Sequence, residues 1–321
     1  MAVLSSIAPR ALYTNRFKVM GGPALVRFVD AGGRRRAARI AGVAEGEARR
    51  IEAKFSRYLS DSVLSRINAE AGKGPVAVDA ETEHLIQSAL DLTRLSEGRF
   101  DPTVGVLRKV WDFKNGRVPS LAELDAWLLL VDAGKVRLES GSVFLEREGM
   151  ELDLGGVGKE YAVDRVARLL WEAGVESALV NFAGDVRTVG HRGDGEPWSI
   201  GVVDPRHPGR CRFAIHSTRT IGVATSGDYE RAFIQDGVRY HHLLDARTGM
   251  PARGVASATV VAATAFEAGT LATAAFLLGP EAGLQMLAET PGVEGGLITE
   301  AGSLLMTEGL PEVSNLSEVM K

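Results

Sequence analysis

The second half of the chain is cut by glycine turns into short β-branched and aromatic runs. "SALVNFAGDVRTVG" is a strand with a glycine turn, and Trp198–Val203, Cys211–His216 and Ile221–Thr225 follow as further strands. "HHLLDARTGMPARG" is a strand entering a turn, and "ASATVVAA" is a strand by its β-branched content. The strand connections are mostly local. This favours an α+β layered fold with antiparallel sheets and packed helices over a doubly wound parallel sheet. At 321 residues, 45% of them hydrophobic, the chain is long enough to bury a sizeable core. It needs one, because the single Cys211 excludes a disulfide framework and a multi-cysteine metal site.

The first half alternates helical patterns with loops. Val19–Asp30 is a strand with a glycine pair near its start. Amphipathic periodicity predicts helices over roughly Val43–Tyr58, Ser60–Asn68 and Thr82–Ser96. "GRFDPTVGVLRKVWDF" is punctuated by Gly and Pro as a functional loop, and residues 117–150 hold a short helix and two strands. Helices follow over Tyr161–Ala173 and over "FEAGTLATAAFLLG", which stops at Gly279-Pro280, where another begins. A net charge of −4 gives no bulk signal for nucleic acid or an acidic membrane. The N-terminus carries Arg10 and Arg16 where a signal h-region would stand, and no apolar run has spanning length. The sequence as written is therefore expected in the cytoplasm without membrane insertion, or in the periplasm if an upstream export signal has been removed.

"LGGVGKEYAVDR", Leu154–Arg165, has the look of a phosphate cradle, with Gly155, Gly156, Gly158 and Lys159 running into a helical pattern. It fails both familiar fingerprints. Asp153 and Glu160 occupy the glycine and hydroxyl positions of a P-loop, and Tyr161 occupies the third glycine of a dinucleotide motif. A strand-to-helix turn whose backbone N–H groups face an anion remains open, as does an ordinary turn with a solvated Lys159. Ser226-Gly227-Asp228 clusters a hydroxyl, a flexible backbone and a carboxylate, which is also a β-turn composition. His241 and His242 alternate faces of a strand, so only one of them faces a site. Asp245, Arg247 and Thr248 form a dense polar turn suited to a phosphate or ribose. Asp101 caps the segment after it, and Asp185 after Gly184 is a turn residue by default.

Taken in order, "FSRYLSDSVLSRIN", "FDPTVGVLRKVWDF", "LDLGGVGKEYAVDRV", "VNFAGDVR", "TSGDYERAF", "HHLLDARTG" and "FEAGTLATAAFLLGPEAGL" resemble the ApbE family, the FAD:protein FMN transferases. The resemblance spans about Val19 to Gly283. It implies a T-fold-like α+β domain, taken as residues 19–310 between an N-terminal extension (1–18) and a C-terminal tail (311–321). It also implies FAD as donor, Mg²⁺ as cofactor, and transfer of FMN to a Thr or Ser hydroxyl of an acceptor protein, such as a redox-complex subunit, with release of AMP. On this resemblance His242 takes the acid/base position, with Asp245 and Thr248 in the same turn. Met20, Tyr58, Asp101, Gly155, Gly156, Lys159, Ser226, Gly227, Asp228 and Arg247 belong to the flavin-nucleotide set. The Gly158 carbonyl and Thr273 belong to the metal.

Two departures from the family pattern stand out. The late helix usually carries a metal-binding Asp one turn before the Thr, and here that position is Gly269. The loop lysine is usually followed by Gly, and here it is followed by Glu160. One carboxylate lost and another gained suggest that Glu160 reaches the metal in place of the missing Asp. The competing expectations are a first-turn helix glutamate, favoured by the dipole, and a flavin carrier that kept the pocket and lost the metal. A third is an FAD pyrophosphatase that uses water as acceptor. Ala183 and Ala246 are smaller departures from the usual Gly and Pro.

Overall fold

The computed structural model describes residues 11–207 and 209–316. Its centre is an eight-stranded sheet whose strands lie side by side in chain order: Ala11–Val19, Gly22–Asp30, Ala178–Phe182, Asp185–Val189, Gly222–Gly227, Val255–Ala262, Glu294–Thr299 and Leu304–Met306. Every neighbouring pair is antiparallel. The sheet is thus an antiparallel meander. Short turns join the first two strands, Ala178–Phe182 to Asp185–Val189, and Glu294–Thr299 to Leu304–Met306, while the other connections carry inserted helices and hairpins, the longest running from Asp30 to Ala178.

The register places several turns at one rim. Val19 pairs with Gly22, Ala24 with Phe182, and Phe182 with Asp185, so the Met20-Gly21 and Ala183-Gly184 turns are neighbours. Met20 and Ala183 both take left-handed backbone (φ 52° and 49°) to close these tight turns. The strand Gly222–Gly227 runs up to the same rim from its pairing with Arg187 and Val186.

Helices Gly33–Phe55, Gly158–Glu172 and Ala265–Leu278 cover one face. The late helix Ala265–Leu278 buries residues around its whole circumference, including Ala268, Ala272, Ala275 and Phe276, and so lacks a polar stripe. Its start is pressed onto the sheet, where a Cβ at Gly222 would lie 2.1 Å from the Thr264 carbonyl carbon. The opposite face is covered by the hairpin Trp198–Val203/Cys211–Ser217, which sets Trp198, Ile200, Phe213 and Ile215 against Leu179, Val186, Val223 and Val261. A third apolar cluster joins Val106, Leu107, Trp111 and Leu124 of the 100–131 region to Phe233 and Tyr240 of the small hairpin Ala232–Gln235/Val238–His241.

Several boundaries differ from expectation for identifiable reasons. The first helix starts at Gly33, not near Val43. Arg34, Arg35, Arg36 and Arg39 dominate its first turns and mask the buried stripe Ala37, Ile40, Ala44. The strand expected from Val19 begins at Gly22, because Val19 ends a first strand Ala11–Val19 that pairs back through the Met20-Gly21 turn. Residues 11–18 of the expected N-terminal extension are therefore the edge of the sheet, while residues 1–10 lie outside the described residues. At the other end, Leu310 and Leu316 are buried in the second cluster and Asn315 bonds both ways with Ala214. The start of the expected C-terminal tail thus packs on the domain.

The closest backbone approach gives a stability test. Gly222→Ala is expected to destabilise the fold by about 1–3 kcal/mol, because the Thr264 backbone cannot yield as a side chain would. Urea unfolding measures it, and an unchanged midpoint would contradict the packing.

Candidate active site

The glycine loop is held from several sides before its helix begins. The Asn68 side chain bonds both backbone groups of Leu152, donating to its carbonyl at 3.0 Å and accepting from its N–H at 2.7 Å. The Asp153 N–H donates to the Pro102 carbonyl at 2.7 Å, and the Asp153 carboxylate pairs with Arg57 at 2.7 Å. Gly156 is required by contact, since a Cβ there would lie 2.6 Å from the Phe100 ring. The helix Gly158–Glu172 then starts without a side-chain cap. The Val157 and Gly158 N–H groups turn back onto the Leu154 carbonyl at 3.1 and 2.8 Å, so the field of the helix N-terminus, rather than a full set of free donors, is what this start offers an anion.

Lys159 reaches the sheet rim, where its ammonium pairs with Asp185 at 2.7 Å. Burial opposes the lysine charge, but Asp185 and Glu160 outweigh it and hold the Lys159 pKa above its ordinary value. Glu160 is 6% exposed, and its Oε2 is enclosed without a hydrogen-bond partner. Burial first, then repulsion from Asp185, pushes the Glu160 pKa up to about 8. On the late helix, the Thr273 hydroxyl meets the Ser226 hydroxyl at 3.1 Å. Gly227 has no room for a side chain, because the Tyr229 ring would lie 2.4 Å from its Cβ.

The two histidines separate as strand alternation requires. His241 is fully buried, its Nε2 is 3.0 Å from the Ala252 carbonyl, and its ring packs edge-on to Phe276. His242 is half-buried, and its N–H donates to the Arg231 carbonyl at 3.1 Å. Its Nδ1 is enclosed without a partner. Desolvation, with help from the charges of Arg231 and Lys159, lowers the His242 pKa to about 3. The Arg231 guanidinium lies beside the first hairpin, 3.8 Å from where a Cβ on Gly21 would stand. Lys159, Glu160, Asp185, Thr273, Ser226, Arg231, His242 and the Met20-Gly21 turn therefore gather at one rim.

Other expected site residues are committed elsewhere or stand at the margin. Asp228 is 2% exposed and locked by a two-pronged pair with Arg206, both contacts 2.7 Å. Asp101 accepts from the Thr103 N–H and hydroxyl and from the Ala133 N–H, so its carboxylate organises a loop. Asp245 pairs with Arg99 at 2.6 Å and accepts from the Arg247 N–H, while its carbonyl accepts from Thr248 and Gly249. The Thr248 hydroxyl accepts from the Met250 N–H. Asp245 and Thr248 thus brace the turn after His242, and Arg247 stands exposed on it. Tyr58 is 72% exposed, with the Arg57 guanidinium 5.1 Å from its ring centre, beside the Asp153 end of the glycine loop.

Comparison with known proteins matches this arrangement. The ApbE family profile covers residues 20–297. The chain belongs to the ApbE family. It is 37% identical over 261 residues to the FAD:protein FMN transferase of Treponema pallidum, covering 76% of this chain and 72% of that one. It is 33% identical over 264 residues to the FAD:protein FMN transferase of Klebsiella pneumoniae, covering 81% and 82%. The crystal structure of the ApbE protein from Thermotoga maritima superposes with a TM-score of 0.86 at 35% identity, covering 94% of this chain and 99% of that one. The flavin transferase ApbE from Vibrio cholerae superposes at 0.84 with 28% identity, covering 95% and 100%.

Within this ApbE-family chain, sequence reasoning missed the cations that latch the site's surroundings. Arg57, Arg99 and Arg206 come from loops far in sequence from Asp153, Asp245 and Asp228, and no local spacing links them. Asp185 passed as a turn residue, yet it is the partner of Lys159. Its only sequence signal was a carboxylate directly after a glycine turn between two strands. The Asp228 latch is testable. Asp228→Ala is expected to cost roughly 3 kcal/mol, at the lower end for a broken buried pair because Arg206 is partly solvated. Thermal or urea unfolding measures the loss. A variant as stable as wild type would return Asp228 to the ligand set.

Proposed function

We propose that this chain is an FAD:protein FMN transferase that moves FMN from FAD to a Thr or Ser hydroxyl of an acceptor protein and releases AMP. The observation that supports it is the rim itself. An uncapped helix start, Lys159 and a neutral imidazole converge there. Phosphoryl transfer asks a protein mainly for positioning and for charge neutralisation. The glycine loop and helix start would receive the pyrophosphate through N–H donors. Tyr58, exposed beside that loop, offers a ring face at its edge. Glycines at 155, 156 and 158 let the backbone approach closely.

Bond changes balance simply. The acceptor oxygen forms a bond to the phosphorus of the FMN moiety, and the bond from that phosphorus to the AMP oxygen breaks. His242 would take the hydroxyl proton as the new bond forms. Its depressed pKa keeps the ring unprotonated across the working pH range, at a cost in basicity. Asp245, bound to Arg99, and Thr248 would fix the turn that carries it rather than touch the phosphate.

The donor set at the rim also fits Mg²⁺. It offers hard oxygen atoms, and the buried Glu160 Oε2 lacks any partner. The Thr273 hydroxyl and the Gly158 carbonyl would hold the ion. Bound there, Mg²⁺ would neutralise charge on the pyrophosphate oxygens.

Incubation with FAD, Mg²⁺ and a candidate acceptor tests the proposal, with mass spectrometry of the acceptor and measurement of AMP. Covalent FMN with AMP is the expected result. AMP with free FMN would instead show hydrolysis, and intact bound FAD a carrier. His242→Ala is expected to abolish transfer while FAD still binds, and unchanged turnover would remove His242 from the reaction. The pH dependence carries a sign. With a pKa near 3, His242 stays unprotonated, so the rate is expected to hold from about pH 8 to about pH 5 rather than fall through the ordinary histidine value. Stability moves differently. The unfolded chain protonates its histidines near 6.5 while folded His241 and His242 resist, so stability declines as pH falls below about 6.5. A rate loss centred near pH 6.5 without unfolding would contradict the neutral, enclosed imidazole.

A further inference from the structure

Glu160 and Gly269 occupy one volume. A Cβ at Gly269 would lie 2.3 Å from Glu160 Cγ, 3.0 Å from Cδ and 3.2 Å from Oε1. The glutamate therefore lies across the bare backbone of the late helix, with its carboxyl group where the end of a residue-269 side chain would stand. Gly269 and Thr273 are one helical turn apart on the same face, so that carboxyl group is brought toward the Thr273 hydroxyl. Thr273 is itself 6% exposed and meets Ser226 at 3.1 Å.

Glu160 has no ion-pair partner of its own among the described residues. Asp185 and Glu160 are both buried, and the ammonium beside them is Lys159, which sits on Asp185 at 2.7 Å. Glu160 Oε2 has no donor at all. A buried carboxylate oxygen left in this way is costly unless a ligand supplies the missing positive charge. Among the described residues no three His, Cys, Asp or Glu side chains cluster as a metal cage. The site offers instead a carboxylate, hydroxyls and backbone carbonyls. Mg²⁺ is held in this way, completing its shell with water and phosphate oxygens.

We infer that Glu160 supplies the metal-facing carboxylate of this chain from the first turn of the loop helix, and that Gly269 is the space it needs. The two positions form an exclusive pair, because a carboxylate on the late helix at 269 and one at 160 cannot share the volume. This rests on reading the rim as the FAD and Mg²⁺ site, but it is separable from transfer activity.

The test uses the full chain, with Mn²⁺ as a spectroscopic probe for the hard divalent cation. Electron paramagnetic resonance follows Mn²⁺ binding with FAD present, and flavin fluorescence in EDTA follows FAD binding without metal. Glu160→Gln is expected to weaken Mn²⁺ binding by about tenfold or more while FAD binding in EDTA stays within about twofold. Gly269→Asp alone is expected to lower the melting temperature, because the new side chain meets Glu160. The double variant Glu160→Gly with Gly269→Asp is expected to regain both the melting temperature and Mn²⁺ binding. Wild-type Mn²⁺ affinity in Glu160→Gln would overturn the inference. So would a double variant that binds Mn²⁺ no better than Glu160→Gly alone. Wild-type protein that binds no FAD in EDTA would instead overturn the reading of the site.

Discussion

The ion pair between Lys159 and Asp185 joins the two halves of the site. One partner belongs to the first turn of a helix and the other is the first residue of a sheet strand, just after the Ala183-Gly184 turn. Without the pair, this helix would keep to that strand the longer Asp164–Arg187 contact at 3.5 Å, and Asp185 would be a buried charge with no cation beside it. With it, the helix start, the Ser226 end of its strand and the turn carrying His242 face one space. The pair also sets the local field. It compensates Asp185 and leaves Glu160 Oε2 without a hydrogen-bond donor.

Around this pair the structure removes other negative charges from play. Asp153, Asp245 and Asp228 each face an arginine, and Asp101 is saturated by hydrogen bonds. An enzyme for a pyrophosphate substrate gains from this arrangement, since free carboxylates near the phosphate would repel it. The arginines also act as braces. Each ties a loop to a segment distant in the chain, so the residues that meet substrate are positioned by neighbours whose own geometry is fixed.

The architecture was legible because it rests on local signals. Alternation, β-branched runs and glycine turns revealed many of the strands, and the short turns pointed to antiparallel pairing, while the pairing of Gly22–Asp30 with Ala178–Phe182 across a long insertion was beyond local signals. The split between His241 and His242 followed from strand alternation alone. The first helix was shortened in the reading because its arginines cover an alanine stripe, and alanine is a weak hydrophobic signal. The first strand was missed because its outward residues are polar, as an edge strand's are. At the site, Lys159 and the His241/His242 pair stood out in the residues themselves and the resemblance supplied their expected roles; the cap at Asp101 was legible, while the Asp228 latch onto Arg206 was not. Which carboxylate meets an arginine is decided by tertiary contacts between distant loops. The Glu160–Gly269 departure was visible as two unusual residues, but only their shared volume connects them physically.

The central claim is that FAD is bound at the rim formed by the glycine loop, the end of the Ser226 strand and the His242 turn. Amide hydrogen exchange with and without FAD tests it most directly. The account predicts slowed exchange in residues 154–160, 226–231 and 242–249, with the Trp198–Val203/Cys211–Ser217 hairpin on the opposite face unchanged. Protection confined to that opposite face, or none in the glycine loop at saturating FAD, would contradict it.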